Sequence, residues 1–278
     1  MSARQASIGL WYQARQAAWH MCNGGAKGLH IQADRAMDSQ YPAGRTRMSL
    51  IHSQTGLTKR NATLLITVMV CLVCSSVLRA GEFALSKELL TSIEDQYGYN
   101  ARQRVLVWNE LIIANRHLEE IDKLKKVNEF FNKIDFINDI DHWGKEDYWA
   151  TPLQMLISNG GDCEDFSIAK YFTLREMGVP EDRMRLTYVK ALELNQAHMV
   201  LTYYSSPDAE PLILDNLVAD ILPSSERDDL LPVYSFNGNG LWLAKSRGTD
   251  QRIGQSSRLS RWKEVIAKIS DEQIPLSY

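Results

Sequence analysis

The fold of this 278-residue chain is indicated most clearly by one stretch, Gly160-Gly161-Asp162-Cys163-Glu164-Asp165-Phe166. Two glycines interrupt the chain, and apolar residues then recur at three- and four-residue spacing as far as Met177. Gly178 and Pro180 follow and favour a stop. The pattern therefore predicts a helix of about four turns, with Cys163 in its first turn.

A cysteine at a helix start has unusual chemistry. Unpaired backbone N–H groups and the helix dipole stabilise its thiolate, which is the nucleophilic form. The flanking carboxylates of Asp162, Glu164 and Asp165 act in the opposite direction, because nearby negative charge raises a thiol pKa. A bound cation, the helix dipole or an imidazolium partner must offset them.

The second half of the chain has the composition of a sheet. Residues 186–192, 198–204 and 211–217 are rich in β-branched and aromatic residues and are separated by polar or proline-containing turns, which predicts successive antiparallel strands. His198 begins the second strand, and Asp215 follows four apolar residues of the third, where a carboxylate is costly to bury without a partner. A Cys, His, Asp order of this kind can build a nucleophile, a base and an orienting group. Spacing alone leaves purely structural roles open for all three.

The remaining patterns predict one α+β domain over residues 81–278. An amphipathic helix is expected where Leu118, Ile121, Leu124, Val127, Phe131 and Ile134 recur at helical spacing. We expect a preceding helix at 103–114 and a polar, aromatic loop at 138–151 that leads to a short helix. A hairpin is expected from strands 233–236 and 241–244, which Asn and Gly residues join, and a final helix at 258–269.

Charge divides the chain into two unlike parts. Residues 1–80 hold 9 of the 31 Lys and Arg and 2 of the 34 Asp and Glu, which leaves 22 basic and 32 acidic residues for 81–278. An acidic body of this kind argues against binding of a phosphate backbone, so we expect no nucleic-acid partner.

The N-terminal part has the layout of an export signal. The apolar run 63–78 follows Lys59-Arg60 and ends among small residues, which predicts a signal peptide at 48–80 that is cleaved after Ser76 or Ala80. An uncleaved membrane anchor is the alternative. We interpret Met48 as the physiological start and residues 1–47 as an upstream extension that is not native.

Cleavage there would remove Cys22, Cys71 and Cys74 and leave Cys163 as the only thiol of the mature protein. An oxidising compartment favours paired cysteines. A solitary thiol there is either buried and inert or retained for its reactivity.

Three separated motifs, together with the segment 149–152 before the cysteine, resemble those of the bacterial transglutaminase-like cysteine proteinases. They are 160–171, Ala197-His198-Met199-Val200-Leu201 and 212–217, and the resemblance spans roughly residues 90–265. It implies a papain/transglutaminase-like α+β fold, in which an N-terminal helical part carries the nucleophile at a helix N-terminus against an antiparallel sheet. It also implies that Cys163 is the nucleophile, His198 the general base and Asp215 the residue that orients the imidazole.

The resemblance implies a calcium ion as well. Its ligands would be Asp162, Glu164 and Asp165, and oxygen donors of this kind suit a hard cation that takes six to eight ligands. Backbone carbonyls and water would complete the shell, with the loop around Glu181-Asp182 as a candidate source.

The function that the resemblance implies is that of a periplasmic endopeptidase. Such an enzyme cuts the N-terminal region of a large, repeat-rich surface adhesin, which releases the adhesin and promotes biofilm dispersal. An inner-membrane cyclic-di-GMP receptor would sequester and inhibit it. Two other functions remain open: a transglutaminase or amidase acting on cell-wall peptides, and a binding module without catalysis.

Overall fold

The computed structural model describes residue 83 and residues 85–244, 250–272 and 276. The predicted signal peptide and the upstream residues 1–47 lie outside these residues. Of the helices that the described residues form, none has the length and apolar character needed to span a bilayer. Residues 79–278 make up one compact unit.

Three helices form the N-terminal part. They are α1 (Lys87–Tyr97), α2 (Tyr99–Asn115) and α3 (Glu120–Phe131). Helix α2 confirms the helix expected at 103–114, whereas α1 was not predicted. Ser86 begins α1 by accepting a hydrogen bond from the Leu89 N–H at 3.1 Å, which satisfies one of the free amides of the first turn.

Helix α3 confirms only part of the predicted apolar face. Leu124, Val127 and Phe131 are buried, but Ile121 is 40% exposed. Leu118 and Ile134 lie outside the helix, which begins at Glu120. The apolar spacing thus continued beyond both helix ends, where the chain leaves helical geometry.

The segment between α3 and the cysteine contains four short elements. They are β1 (Asp135–Phe136), α4 (Asp139–Trp143), α5 (Pro152–Ser158) and β2 (Gly160–Gly161), and β1 pairs with β2 in parallel. Helix α5 is the expected short helix, whereas α4 lies in the stretch expected to be a loop. Thr151 and Gln154 form a capping box at the start of α5, and Pro152 occupies its first turn, where a missing N–H costs nothing.

The two glycines are needed because other side chains fill the space around them. A Cβ at Gly160 would lie 2.6 Å from Ile137 Cδ1, and one at Gly161 would lie 2.6 Å from Asp165 Oδ2. Asn159 precedes them in the left-handed region, at φ 58°, and ends α5. This close approach brings the chain to the start of the next helix.

That helix, α6 (Cys163–Glu176), is the centre of the domain and confirms the helix predicted from the cysteine onward. It is buried over most of its circumference, including Phe166, Ile168 and Phe172. Its packing includes a polar contact, since the indole N–H of Trp108 in α2 donates to Thr173 Oγ1 at 2.8 Å.

The second half of the chain forms a seven-stranded antiparallel sheet, in which the five predicted strands are joined by two that were not predicted. Its strands are β3 (Met184–Ala191), β4 (Gln196–Tyr203), β5 (Leu212–Leu214), β6 (Leu222–Pro223), β7 (Leu230–Phe236), β8 (Leu241–Leu243) and β9 (Gln251–Gly254). Their order across the sheet is β6-β5-β4-β3-β7-β8-β9. The two strands that were not predicted are β6 and β9. The expected hairpin is β7–β8, and the expected final helix is α7 (Ser260–Asp271). The architecture is therefore the expected α+β arrangement, with α6 packed against the central strands β3 and β4.

Candidate active site

His198 and Asp215 meet on neighbouring strands. His198 lies in β4 opposite Val189 of β3, and Asp215 directly follows β5, which pairs with the other edge of β4. His198 Nε2 lies 2.8 Å from Asp215 Oδ1, and both side chains are buried. Because Asp215 accepts the proton on Nε2, Nδ1 is the nitrogen left to act as a base.

Asp215 has three hydrogen-bond donors around its carboxylate. Besides His198, the Leu217 N–H donates to Oδ1 at 2.9 Å, and Arg227 Nη2 donates to Oδ2 at 2.8 Å. Burial acts to raise the pKa of Asp215, but the hydrogen bond and charge of His198, the charge of Arg227 and the Leu217 amide outweigh it. The pKa of Asp215 is therefore held well below its usual range, and the carboxylate stays ionised.

Arg227 is a site residue that sequence reasoning missed. It follows a short 3-10 turn, Ser224–Glu226, and its side chain is only 3% exposed. Besides holding Asp215, it donates to both oxygens of Asp229, at 2.9 Å each. The surrounding Ser, Glu and Asp residues are typical of an exposed turn, so no local signal indicated that this arginine is buried.

Cys163 is the first residue of α6 and is partly exposed. One turn later, Ser167 Oγ lies 2.9 Å from the Cys163 carbonyl oxygen and 3.0 Å from that of Met199, the residue after His198. The Met199 N–H also donates toward the thiol, which lowers its pKa. The structure thus brings the start of α6 to the part of β4 that carries His198.

Without a cation, the surroundings of Cys163 favour the neutral thiol. Burial and the negative charges of Glu164 and Asp162 raise the pKa of Cys163 well above its ordinary value. In keeping with this, Sγ donates to Glu164 Oε2 at 3.0 Å. The conflict noted in the sequence between a nucleophilic cysteine and its acidic neighbours is therefore real.

The acidic cluster beside Cys163 is larger than the sequence suggested. Besides Asp162 and Asp165, it includes Asp139 of α4. One carboxylate oxygen from each of the three residues lies within 4.8 Å of the other two. Burial, together with Glu164, raises the pKa of Asp162 to about 10, and burial raises that of Asp139 to about 6. Asp139 was missed because its stretch was expected to be a loop at no fixed distance from the cysteine.

The cluster has the chemistry of a hard-cation site. Asp139 Oδ1 and Asp162 Oδ1 are buried and have no hydrogen-bond partner among the described residues. Glu164 lies beside them, with Asp162 and Cys163 in a second candidate group. Asp165 already has donors on both oxygens, from the Ala150 N–H at 2.6 Å and the Asp162 N–H at 3.4 Å. Oxygens without donors, clustered in this way, fit calcium.

The loop at Glu181-Asp182 does not belong to this cluster, contrary to the expectation that it could complete the shell. Glu181 accepts a hydrogen bond from the Tyr171 hydroxyl at 2.6 Å and lies 3.6 Å from Arg175, both in the later turns of α6. At 1.5 Å per residue, those turns begin roughly 12 Å from the helix start. Any further ligands must come from elsewhere.

Comparison with known proteins identifies the family. The profile described as bacterial transglutaminase-like cysteine proteinase matches residues 100–236, a stretch that includes Cys163, His198 and Asp215. The chain belongs to the bacterial transglutaminase-like cysteine proteinases.

Solved structures of Legionella pneumophila LapG agree with this assignment. The EGTA-treated structure is 42% identical, with a TM-score of 0.60, over 68% of this chain and 100% of the other. The calcium-bound structure is 44% identical, with a TM-score of 0.58, over 66% of this chain and 99% of the other. A comparison with curated protein sequences gives no match. The protein is thus a LapG-like cysteine proteinase with a transglutaminase-like fold.

Trp149 and two further histidines of the described domain lie outside the His198–Asp215 pair. Trp149 is 7% exposed, stacks on Phe236 at 5.8 Å and donates to Asp147, so it belongs to the core. His142 lies 2.8 Å from Ser158 Oγ, and His117 is exposed. Among the three histidines in the described part of the chain, His198 is the one that contacts Asp215.

Two tyrosines stack on the neighbouring strands β3 and β7. Tyr188 and Tyr234 stack with their ring centres 5.1 Å apart. Burial raises the pKa of Tyr188, and the negative charges of Cys163 and Glu164 add to the rise.

Proposed function

We propose that the protein is a calcium-dependent cysteine endopeptidase in which Cys163 is the nucleophile, His198 the general base and acid, and Asp215 the residue that orients the imidazole. The observation that carries the proposal is the buried His198–Asp215 hydrogen bond of 2.8 Å, which leaves Nδ1 as the basic nitrogen. Ser167 supports it, because its hydroxyl joins the Cys163 turn to the strand of His198.

The reaction proposed is acyl transfer to sulfur and then to water. His198 Nδ1 accepts the Cys163 proton as Sγ attacks the scissile carbonyl, and it returns that proton to the departing amine. Water then attacks the thioester with His198 as base, which releases the acid and regenerates the thiol. The first N–H groups of α6, which have no partner within the helix, are the natural donors to the oxyanion.

The residues that would hold calcium are Asp139, Asp162, Glu164 and Asp165. Bound there, a divalent cation supplies positive charge beside a thiol whose pKa the carboxylates raise. Asp165 also keeps its role at the helix start, where it accepts from the Asp162 N–H. The same carboxylates would therefore connect cation binding to the position of Cys163.

The proposed substrate is the N-terminal region of a large surface adhesin, cut in the periplasm at a pair of alanines in a small-residue context, so that the adhesin is released and the biofilm disperses. Membership of the bacterial transglutaminase-like cysteine proteinases, whose resemblance implies this substrate, supports it. The basic, apolar and small-residue order of residues 48–80 supports export. The partner proposed to inhibit the enzyme is an inner-membrane cyclic-di-GMP receptor.

The test is cleavage of a purified N-terminal adhesin fragment, compared with the same fragment in which the two alanines are replaced by bulky residues. We expect calcium-dependent cleavage of the first fragment alone, and no cleavage by Cys163→Ala or His198→Ala. His117→Ala is the matched histidine control, because His117 is exposed and away from Asp215. Cleavage by Cys163→Ala would contradict the mechanism.

A parallel reaction distinguishes the alternative acyl acceptor. With a primary amine in excess, a transglutaminase would incorporate the amine into a peptide glutamine, whereas the proposed protease would only cut the chain. Amine incorporation without cleavage would replace the proposed function by the alternative.

A further inference from the structure

The sheet has a second buried region on the face away from α6, which we call the outer face. Met199 and Leu201 of β4 belong to the main core, whereas the alternate residue Val200 belongs to a separate apolar cluster. Successive strand residues point to opposite faces, so this cluster lies on the outer face. It contains Val189, Ala191, Val200, Ile213 and Leu230.

A cavity of about 590 Å³ opens on this face. Val189, Val200, Ile213 and Leu230 line its apolar part, and Pro232 adds to it. We call it the outer cavity. Its volume falls within the range of about 300–1,000 Å³ that is typical of ligand pockets.

Three residues that line the outer cavity carry buried donors without a partner. They are Arg185 Nε, Arg227 Nη1 and Ser235 Oγ, none of which has a hydrogen-bond partner among the described residues. Arg227 is 4% and Ser235 is 3% exposed. Buried polar groups in proteins are nearly always hydrogen-bonded. Three unpaired donors around one cavity therefore indicate an acceptor-bearing occupant.

The two threonine hydroxyls beside the cavity are already hydrogen-bonded within the protein. Thr187 Oγ1 lies 2.9 Å from Thr202 Oγ1, and Thr202 donates to the Arg185 carbonyl oxygen at 3.0 Å. Ser235 is the register partner of Thr187 on the next strand. The side chains lining this cavity that keep a buried donor without a partner among the described residues are the two arginines and Ser235.

The arginines and Asp250 of the outer cavity are already paired, and the remaining charged residue that lines it, Asp208, is exposed to solvent. Arg185 pairs with Asp250 at 3.0 Å, and Arg227 pairs with Asp215 and Asp229. An anionic ligand would be repelled by the two carboxylates that already bind Arg227. A cationic ammonium group has only donors to offer, so it could not accept hydrogen bonds from the buried donors of the cavity. The occupant that fits is therefore neutral and brings oxygen acceptors.

We propose that the outer cavity is a binding site for a neutral, peptide-like ligand. Carbonyl oxygens of that ligand accept hydrogen bonds from Ser235 and Arg227, and small apolar groups contact Val200 and Ile213. Its occupant would share the guanidinium that holds Asp215, because Arg227 donates to that carboxylate through Nη2. Neither Cys163 nor His198 is among the residues that line the outer cavity.

The test is an NMR titration of the methyl groups of Val189, Val200 and Ile213 in the full chain. Three matched probes are used: neutral N-acetyl-valine methylamide, anionic N-acetyl-valine and cationic valine methylamide. We expect the neutral probe to shift these methyl signals and to bind roughly tenfold or more tightly than either charged probe. Site-resolved signals separate this binding from any at the active site, so the result does not depend on the proteolytic function.

Two variants test the contacts. Ser235→Ala removes an unpaired hydroxyl and should fold normally, and it should weaken the neutral probe roughly threefold to tenfold, the effect of one hydrogen bond. Ile213→Phe fills the apolar part and should abolish binding. Ser270→Ala, an exposed serine on α7, is the matched control and should bind like the wild type.

Each opposite result overturns the proposal. Absence of any shift at these methyl groups would show that the cavity takes no such ligand. Tighter binding of the anionic probe would overturn the neutral class, and unchanged affinity in Ser235→Ala would overturn the assigned contact.

Discussion

Replacing Arg227 by methionine tests whether this buried arginine positions the His198–Asp215 pair. The substitution removes the 2.8 Å hydrogen bond to Asp215 Oδ2 and both bonds to Asp229. Asp215 would stay fully buried with only His198 and the Leu217 amide as donors. Breaking a buried ion pair costs about 3–5 kcal/mol, because one charge is left unpaired. We expect urea denaturation to show a loss of that size.

Catalysis should fall through kcat, with KM nearly unchanged. Arg227 holds the Asp215 carboxylate and lines the outer cavity, which neither Cys163 nor His198 lines, so its effect on catalysis should run through the imidazole. Misplacing a reacting group by about 1 Å can cost on the order of a hundredfold in rate. Arg227→Lys keeps the positive charge but loses the paired N–H donors of the guanidinium. Its kcat should therefore lie between that of Arg227→Met and that of the wild type. Arg102→Met removes a partly exposed ion pair with Glu94 and should cost less than about 1 kcal/mol.

The pH dependence of stability supplies an independent readout. Arg227 contributes to the low pKa of Asp215, so the methionine variant should have a higher Asp215 pKa than the wild type. A carboxylate with a depressed folded pKa stabilises the protein above its unfolded pKa of about 3.9 and loses that stabilisation as the pH falls toward the folded value. The stability gap between wild type and variant should therefore be greatest above about pH 5 and narrow in acid. A variant as stable and active as Arg102→Met at neutral pH would refute the positioning role.

Four further outcomes are expected. EGTA should abolish cleavage. Calcium should restore it better than magnesium, because magnesium demands tighter octahedral geometry. Cleavage that is unchanged by EGTA would contradict the calcium site. By calorimetry, Asp139→Asn and Asp162→Asn should each weaken calcium binding about tenfold or more, as removal of a charged ligand does, whereas the exposed Asp208→Asn should not. Cys163→Ala and His198→Ala should each abolish cleavage in a fragment assay, and the double variant should be hardly worse than either single one, because residues acting as a unit are not additive. Gly161→Ala should lower calcium affinity and activity together and cost about 1–3 kcal/mol by urea denaturation, since its Cβ would lie 2.6 Å from Asp165 Oδ2.

The sequence predicted those parts of the site that depend on local pattern. The glycine pair, the helix start at Cys163 and the strands carrying His198 and Asp215 all follow from residue spacing over a few positions. The helix α1 was not recognised, and α3 was predicted too long because apolar spacing alone does not mark where a helix ends. Ser86 caps the start of α1, so the sequence did contain a residue that favours a helix beginning there.

The residues that were missed come from segments that the fold brings in from a distance. Asp139 lies in a short helix within a polar stretch, and only the pairing of β1 with β2 fixes that stretch beside Asp162. Arg227 is buried because the sheet places the turn before β7 next to the end of β5. Neither contact follows from a periodicity, since both depend on strand order. A three-dimensional arrangement was needed to find them.

The two halves of the site differ in how their charges are balanced, which indicates where the proposed cation would act. On the His198 side, the buried Asp215 is matched by Arg227, so that carboxylate is stable without any added group. On the Cys163 side, Asp139, Asp162, Glu164 and Asp165 show no salt bridge to a Lys or Arg within the part of the chain that the structure describes. The pKa values of Asp139 and Asp162 are accordingly raised, to about 6 and about 10. Removal of calcium should therefore alter the reactivity of the thiol and leave the His198–Asp215 pair in place, because the charge imbalance lies on the Cys163 side.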